Sequence, residues 1–263
     1  MIRRTAALAL TLGAAAAACS HASKPATKTS AELLLNERMA AVLLREGQAA
    51  EAERAYRDVL KDDPNNPELW DGLGSSVLMQ GHAKDSIEWF DKAVKASPKK
   101  ASYRINRGLA YMELARYRDA EEDFRVADTS SNQEDRLAAT INRGRLRQLE
   151  GNAAAAEEQF TAALALDSAS YAARLGRGIA RESRGDRASA AEDYLEAVRL
   201  RPRSADANLR LGLTLLDLGK GPLGCRYLQR AAELEPSGDA GARARVALDR
   251  NAGVCERPTA ASR

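Results

Sequence analysis

The chain has 263 residues, of which 44% are hydrophobic, 29% are charged and 5% are aromatic. Its formal net charge of +3 arises from 40 basic and 37 acidic side chains whose signs are interleaved, which argues against a nucleic-acid-binding protein. An abundance of Ala, Leu, Arg and Glu, without the alternation typical of strands, predicts an all-α fold.

The N-terminus predicts export. Residues 1–18 begin with Arg3 and Arg4, continue with an apolar run over 5–12 and end in small residues. The apolar run is too short to span a bilayer, and the small residues behind it suit cleavage by a signal peptidase. We therefore predict a secretory signal peptide rather than a transmembrane helix.

Cys19 directly follows three alanines and thereby resembles the lipobox of bacterial lipoproteins, although Ala16 replaces the usual leucine. The resemblance implies cleavage before Cys19 and lipidation of its thiol. Because Ser20 is not the aspartate that retains lipoproteins in the inner membrane, it also implies the periplasmic face of the outer membrane. The alternative is a soluble periplasmic protein cut at an Ala-x-Ala site. Residues 19–32 are predicted to be the lipidated cysteine and a flexible tether, because 21–30 are polar and include a proline.

A period of 34 residues dominates the chain from residue 33 to residue 238. The clearest copy begins at Pro67 and contains, in order, Trp70, Leu73, Gly74, Val77, Ser86, Phe90, Ala93 and Pro98. These residues follow the tetratricopeptide pattern Trp-x2-Leu-Gly-x2-Tyr, Ala-x3-Phe and Pro, with two substitutions. The chain therefore resembles the tetratricopeptide-repeat (TPR) family over about four-fifths of its length.

The resemblance implies a right-handed superhelical solenoid in which every repeat is a helix-turn-helix unit. The six predicted repeats span 33–66, 67–100, 101–134, 137–170, 171–204 and 205–238. Residues 239–263 are predicted to form a capping helix and a tail, with Val246 and Ala247 facing inward.

Each copy has a small residue where its two helices cross and a large apolar residue between hairpins. The small residues are Ala40, Gly74, Gly108, Gly144, Gly178 and Gly212, and the large ones are Tyr56, Phe90, Phe124, Phe160, Tyr194 and Leu228. Glycine is expected in the turn inside each hairpin, where positive φ costs it little. The third copy is the exception, with Arg116 and Tyr117 expected in its turn.

In the TPR family the first helix of each repeat lines the concave surface, which implies a partner-binding groove here. The predicted groove residues are Leu44, Leu78, Met79, Ile105, Asn106, Leu109, Met112, Ile141, Asn142, Leu175, Ile179, Leu209, Leu213 and Leu216. The apolar members suit an apolar segment of a partner, and the two asparagines are expected to hold a peptide backbone. The alternative is that superhelix curvature and the cap bury much of this surface, above all Leu209 and Leu213.

Arginine precedes the small glycine in three consecutive repeats, as Arg107, Arg143 and Arg177. We expect these side chains to lie along the helix interface and to pair with carboxylates such as Asp123 or Asp193.

Cys225 and Cys255 remain as a pair once Cys19 is lipidated. The capping helix should return antiparallel toward the start of the helix that carries Cys225, so the two thiols are predicted to form a disulfide in an oxidising compartment. The alternative is two free, partly buried thiols.

Catalytic chemistry has little support in the sequence. Its two histidines, His21 and His82, have no partner at metal-ligand spacing, and no phosphate loop, nucleophile elbow or paired-carboxylate motif is present. We therefore predict a protein that is not an enzyme, with no catalytic residues, no metal, no cofactor and no small-molecule substrate.

An exported lipoprotein made almost wholly of TPRs is similar to two bacterial families, the TadD family of Tad (tight adherence) pilus-assembly lipoproteins and the PilF family of type IV pilus pilotins. The segments 225–228 and 253–255 favour the Tad type. These resemblances imply an assembly scaffold whose protein partner is a secretin or pilus component and whose membrane contact is the N-terminal lipid. The alternative is a periplasmic adaptor that recruits a protease or cell-wall hydrolase to its substrates.

Overall fold

A computed structural model describes residues 29–255 of the protein. The predicted signal peptide, Cys19, most of the predicted tether and residues 256–263 lie outside the described residues. The described part is all-helical, without strands, which confirms the predicted fold class. Its helices are α1 (Ser30–Arg45), α2 (Ala49–Leu60), α3 (Pro67–Met79), α4 (Ala83–Ala96), α5 (Ala101–Glu113), α6 (Tyr117–Ala127), α7 (Gln133–Leu149), α8 (Ala153–Leu166), α9 (Tyr171–Ser183), α10 (Arg187–Leu200), α11 (Ala205–Asp217), α12 (Gly221–Leu234), α13 (Asp239–Arg250) and α14 (Ala252–Cys255).

Two first helices begin earlier than the predicted repeats. Helix α1 starts at Ser30, inside the predicted tether, because Thr29 and Glu32 form a capping box that satisfies the first free backbone donors. Helix α7 starts at Gln133 rather than Leu137, since the side chain of Asn132 accepts a hydrogen bond from the Glu134 amide and caps the helix there. The extra residues between the third and fourth copies therefore lengthen a helix.

The turn inside each hairpin needs one residue in the left-handed region. Five turns use glycine, with φ between 72° and 83°. In the third hairpin the residue with positive φ is Ala115, at 54°. The expectation that Arg116 and Tyr117 occupy this position is therefore wrong by one residue, and an alanine bears the strain that glycine avoids elsewhere.

Aromatic side chains wedged against glycines hold neighbouring repeats together. The ring of Phe160 is fully buried, and a Cβ added at Gly144 or Gly176 would lie 2.8 or 2.4 Å from it. One aromatic residue thus contacts its own first helix and the first helix of the next repeat. Glycine at these positions lets the backbones approach closely enough to bury the whole ring.

The array curves with its first helices on the inside. Helices α1, α3, α5, α7 and α9 contact one another in succession, and α11 contacts α13. No comparable contact joins successive second helices within residues 29–255. The inner surface is therefore built from the first helices of the repeats.

Helix α13 caps the C-terminal end. Its Ala240, Ala244 and Ala247 pack on Leu209 and Leu228 of the last repeat. Val246, expected to face inward, is 48% exposed, because Ala244 and Ala247 occupy the inner side of the helix.

Candidate partner-binding surface

The inner surface of the array is less open than the sequence predicts. Ile105, Ile141 and Leu209 are buried, at 8%, 9% and 0% exposure, and each belongs to a core cluster around the neighbouring aromatic residues or the cap. Asn142 is buried as well. These four residues do not line an open groove, because the curvature of the array presses adjacent first helices against each other at their level.

The remaining predicted residues keep part of their surface open to solvent. Met79 is 54% exposed. The partly buried ones are Leu44, Leu78, Asn106, Leu109, Met112, Leu175, Ile179, Leu213 and Leu216. Most of them pack with one side on the core and leave the other side on the inner surface, which gives this surface an apolar stripe.

Sequence reasoning missed Leu149, which is 56% exposed at the last residue of α7. It occupies the same repeat position as Met79, the last residue of α3. That correspondence is visible in the sequence and could have identified it. Met79 and Leu149 are thus the most exposed apolar side chains at the C-terminal ends of the inner helices.

Polar side chains on the inner surface are engaged with each other. The Asn106 side-chain amide donates to both carboxylate oxygens of Asp71, at 3.0 Å each. Burial raises the pKa of Asp71 to about 6, against the opposing effect of that hydrogen bond. Burial, and then the charges of Glu68 and Asp63, raise the pKa of Glu37. The N-terminal part of the inner surface is therefore acidic, and Asn106 binds a carboxylate of its own chain.

The arginines that recur at one repeat position form ion pairs within the third and fifth repeats. Arg107 donates to both oxygens of Asp123 at 2.7 Å, and this hydrogen bonding raises the pKa of Arg107. Arg177 contacts both oxygens of Asp193 in the same way, at 2.9 and 2.8 Å. These two pairs join the first helix to the second helix of one repeat.

Arg143 departs from this arrangement because the fourth repeat has Gln159 where the third has Asp123. Its guanidinium reaches back to the preceding hairpin and contacts Glu121 at 3.0 Å and Asp128 at 3.2 Å. In this repeat the arginine therefore joins two neighbouring repeats.

The structure brings Cys225 and Cys255 together as a disulfide, with their Cα atoms 5.4 Å apart. Cys225 is buried at the start of α12, and Val254, beside Cys255, lies directly over Gly221. The bond fastens α14 to the beginning of α12.

A cavity of about 420 Å³ lies between α11 and α13, at the C-terminal end of the inner surface. Leu213, Val246 and Ala247 supply its apolar lining, and Arg243 and Arg250 lie at its polar edge. The apolar stripe of the inner surface therefore continues onto the cap.

Nothing in residues 29–255 resembles a metal centre, since no three metal-ligating side chains meet there. His82 precedes α4 in a turn, without a side-chain capping bond. In the same part of the chain, no helix combines the length and apolarity needed to cross a bilayer.

The chain belongs to the tetratricopeptide-repeat family. The family described as Tetratricopeptide repeat matches residues 38–101, 141–205 and 175–240, which together exceed half of the chain. No curated protein matches the chain in sequence. TPR proteins bind protein partners, so this chain is a scaffold for protein–protein interaction.

Solved structures share the fold at low sequence identity. PilF of Pseudomonas aeruginosa is 17% identical with a TM-score of 0.68, over 82% of this chain and 97% of PilF. PilW, a widely conserved type IV pilus biogenesis factor, is 18% identical with a TM-score of 0.71, over 81% of this chain and 98% of PilW. YrrB, a TPR protein with an unusual peptide-binding site, is 16% identical with a TM-score of 0.50, over 73% of this chain and 98% of YrrB. At these identities the likeness concerns the fold.

Proposed function

We propose that the protein is a non-enzymatic assembly factor of the outer membrane that binds an apolar segment of a secretin or pilus component. The observation that carries this proposal is the apolar stripe of the inner surface, which runs along the first helices and ends at the cavity beside the cap. The partly exposed side chains of this stripe, most of them leucine, offer area for an apolar helix or extended segment.

The similar extent of PilF and PilW supports a secretin or pilus component as the partner. PilF and PilW each align over nearly their whole length with four-fifths of this chain, so the arrays are comparable in extent as well as in type. The segments that favour the Tad type belong to the disulfide-bonded C-terminal end. A Tad-type secretin is therefore the first partner to test.

The lipobox-like sequence at Cys19 supports attachment to the membrane that houses secretins. Labelled palmitate should enter the protein and be absent from a Cys19→Ala variant. Unlabelled wild-type protein would instead indicate a soluble periplasmic scaffold.

Exposed residues provide the sharpest test of the inner surface. Met79→Glu and Leu149→Glu place two charges on the stripe without entering the core, so the helical circular dichroism spectrum should stay unchanged. We expect crosslinked complexes with the secretin, and secretin multimers in membranes, to fall at least about tenfold, because each carboxylate must be desolvated on binding.

Leu200→Glu is the matched control, since Leu200 is exposed at the end of the second helix α10, on the opposite layer of the array. It should leave complexes and multimers at the wild-type level. Normal multimers in the double variant would reject the inner surface as the binding site. Crosslinks to a protease or cell-wall hydrolase instead of a secretin would replace the assembly role by that of an adaptor.

A further inference from the structure

The two ends of the array differ in the surface that they expose to solvent. At the C-terminal end, α13 buries Ala240 and Ala244 on the last repeat and turns Arg243 and Arg245 to solvent. At the N-terminal end, α1 turns an apolar stripe to solvent. Leu35 and Met39 are 60% and 56% exposed, and Val42 is half-buried one turn further on. We call these three residues the N-terminal face.

The positions of the N-terminal face are buried in every later repeat. Leu35 occupies the repeat position of Leu69, Tyr103, Ala139, Ala173 and Ala207, all of which are at most 3% exposed. The residues in the place of Val42 include Ala110 and Leu146, both fully buried. In each case the cover is the second helix of the preceding repeat. Helix α1 has the same surface and lacks that cover within residues 29–255.

The helices that cover the equivalent positions in the later repeats show what kind of helix would fit the N-terminal face. The covering helices α4, α6, α8 and α10 each present an aromatic residue with small ones four positions before and three after it, as in Ala190, Tyr194 and Ala197 of α10. Helix α2 differs only in having Val59 as the last of the three. Position 38 refines this pattern. Arg38 takes the place of Arg210, whose acidic partners are Asp206 of its own helix, at 3.1 Å, and Glu182 of α9, at 3.8 Å. From the covering helix α10, only the Tyr194 side chain interacts with Arg210. The Tyr194 hydroxyl in turn donates to Glu182 at 2.6 Å.

The sequence before α1 does not have this pattern. Residues 19–28 are polar, contain Pro25 and include no aromatic side chain. If the predicted signal peptide is removed, the segment before α1 lacks the aromatic residue that a covering helix presents, so we assign the cover to another molecule.

We infer that the N-terminal face is a second docking surface, which binds an amphipathic helix of a partner protein with a central tyrosine or phenylalanine flanked by small residues. A tyrosine of that helix would lie beside Arg38 as Tyr194 lies beside Arg210. The bound helix extends the solenoid by half a repeat. This surface lies at the end of the array and is independent of the apolar stripe on the inner surface, so either can fail without the other.

The chain supplies its own probe. A fluorescent peptide with the sequence of α10, residues 187–200, carries the required pattern and the tyrosine that faces an arginine. A hydrocarbon staple between positions 192 and 196 keeps it helical, because an isolated helix of this length is marginal in water. Its binding to the full-length protein is measured by fluorescence anisotropy.

We expect saturable binding that Leu35→Glu/Met39→Glu weakens at least about tenfold, and that Tyr194→Ala in the peptide weakens equally. Leu200→Glu is the matched control. Leu200 is 38% exposed at the end of α10, far along the array from α1, so this variant should bind the peptide as the wild type does.

Absence of saturable binding to the wild type, or equal binding by Leu35→Glu/Met39→Glu, would overturn the inference. Two further results would overturn the inference by identifying a different ligand of the N-terminal face. A wild-type dimer that this double variant dissociates in sedimentation would show that the face binds a second copy. Co-sedimentation with phosphatidylethanolamine–phosphatidylglycerol vesicles that the same variant abolishes would show that it binds a lipid surface.

Discussion

Ala115 has the one strained backbone conformation in residues 29–255 that a point substitution can relieve. Its φ of 54° costs an L-residue about 1–2 kcal/mol, whereas glycine adopts it freely and loses only about 0.5–1 kcal/mol of chain entropy. We expect Ala115→Gly to stabilise the protein by about 1 kcal/mol and to raise its Tm by a few degrees, measured by circular dichroism.

Ala162→Gly tests whether the gain comes from φ. Ala162 is an exposed residue inside α8, where glycine should destabilise the helix by about 1 kcal/mol. Equal effects of the two substitutions would contradict the strain at residue 115.

Among the helices, α9 and α10 are joined by an ionic cluster around one buried carboxylate. Asp193 is 1% exposed and contacts Arg174, Arg177 and Arg181. Its removal leaves three half-buried guanidinium groups near one another without their shared counter-charge. We therefore expect Asp193→Ala to lower the free energy of unfolding by about 3–5 kcal/mol, measured in urea.

Glu196→Ala is the control on the same helix. Glu196 pairs with Arg199 at the surface, at 2.5 Å, so its loss should cost less than about 1 kcal/mol. If Asp193→Ala were as mild as this control, water would have to replace the carboxylate at the arginines, and the cluster would contribute little to the joint.

The helices themselves could be predicted from the sequence, because glycine, aromatic and proline positions recur with the period of the fold. The pairing of Arg107 and Arg177 with Asp123 and Asp193 also follows from repeat position. The openness of the inner surface could not be predicted, since burial of Ile105 depends on how closely successive first helices approach. That distance is set by curvature, which the pattern of one repeat does not contain.

Across the whole array, stability should be local, because each repeat contacts mainly its neighbours. The first repeat presents an uncovered apolar face, while the last is covered by α13 and fastened by the bond from Cys225 to Cys255. The two ends therefore differ in what they can bind. Because α13 covers the last repeat, we expect copies of this chain not to add head-to-tail at this end.

Loss of the disulfide should consequently loosen one end only. Closing a loop of 30 residues stabilises a chain by about 3–4 kcal/mol in the chain-entropy model. The double variant Cys225→Ala/Cys255→Ala should therefore speed amide hydrogen exchange in α12, α13 and α14. Helices α3 to α6 should exchange at the wild-type rate, because unfolding of the loosened end is local. Dithiothreitol should reproduce this change in the wild type and have no effect on the double variant. Equal acceleration in α3 to α6 would mean that the repeats unfold as one unit, and alkylation of both cysteines in non-reduced protein would mean that no bond holds the cap. A localised effect would instead show that the disulfide maintains the cap, and with it the closed C-terminal end of the array.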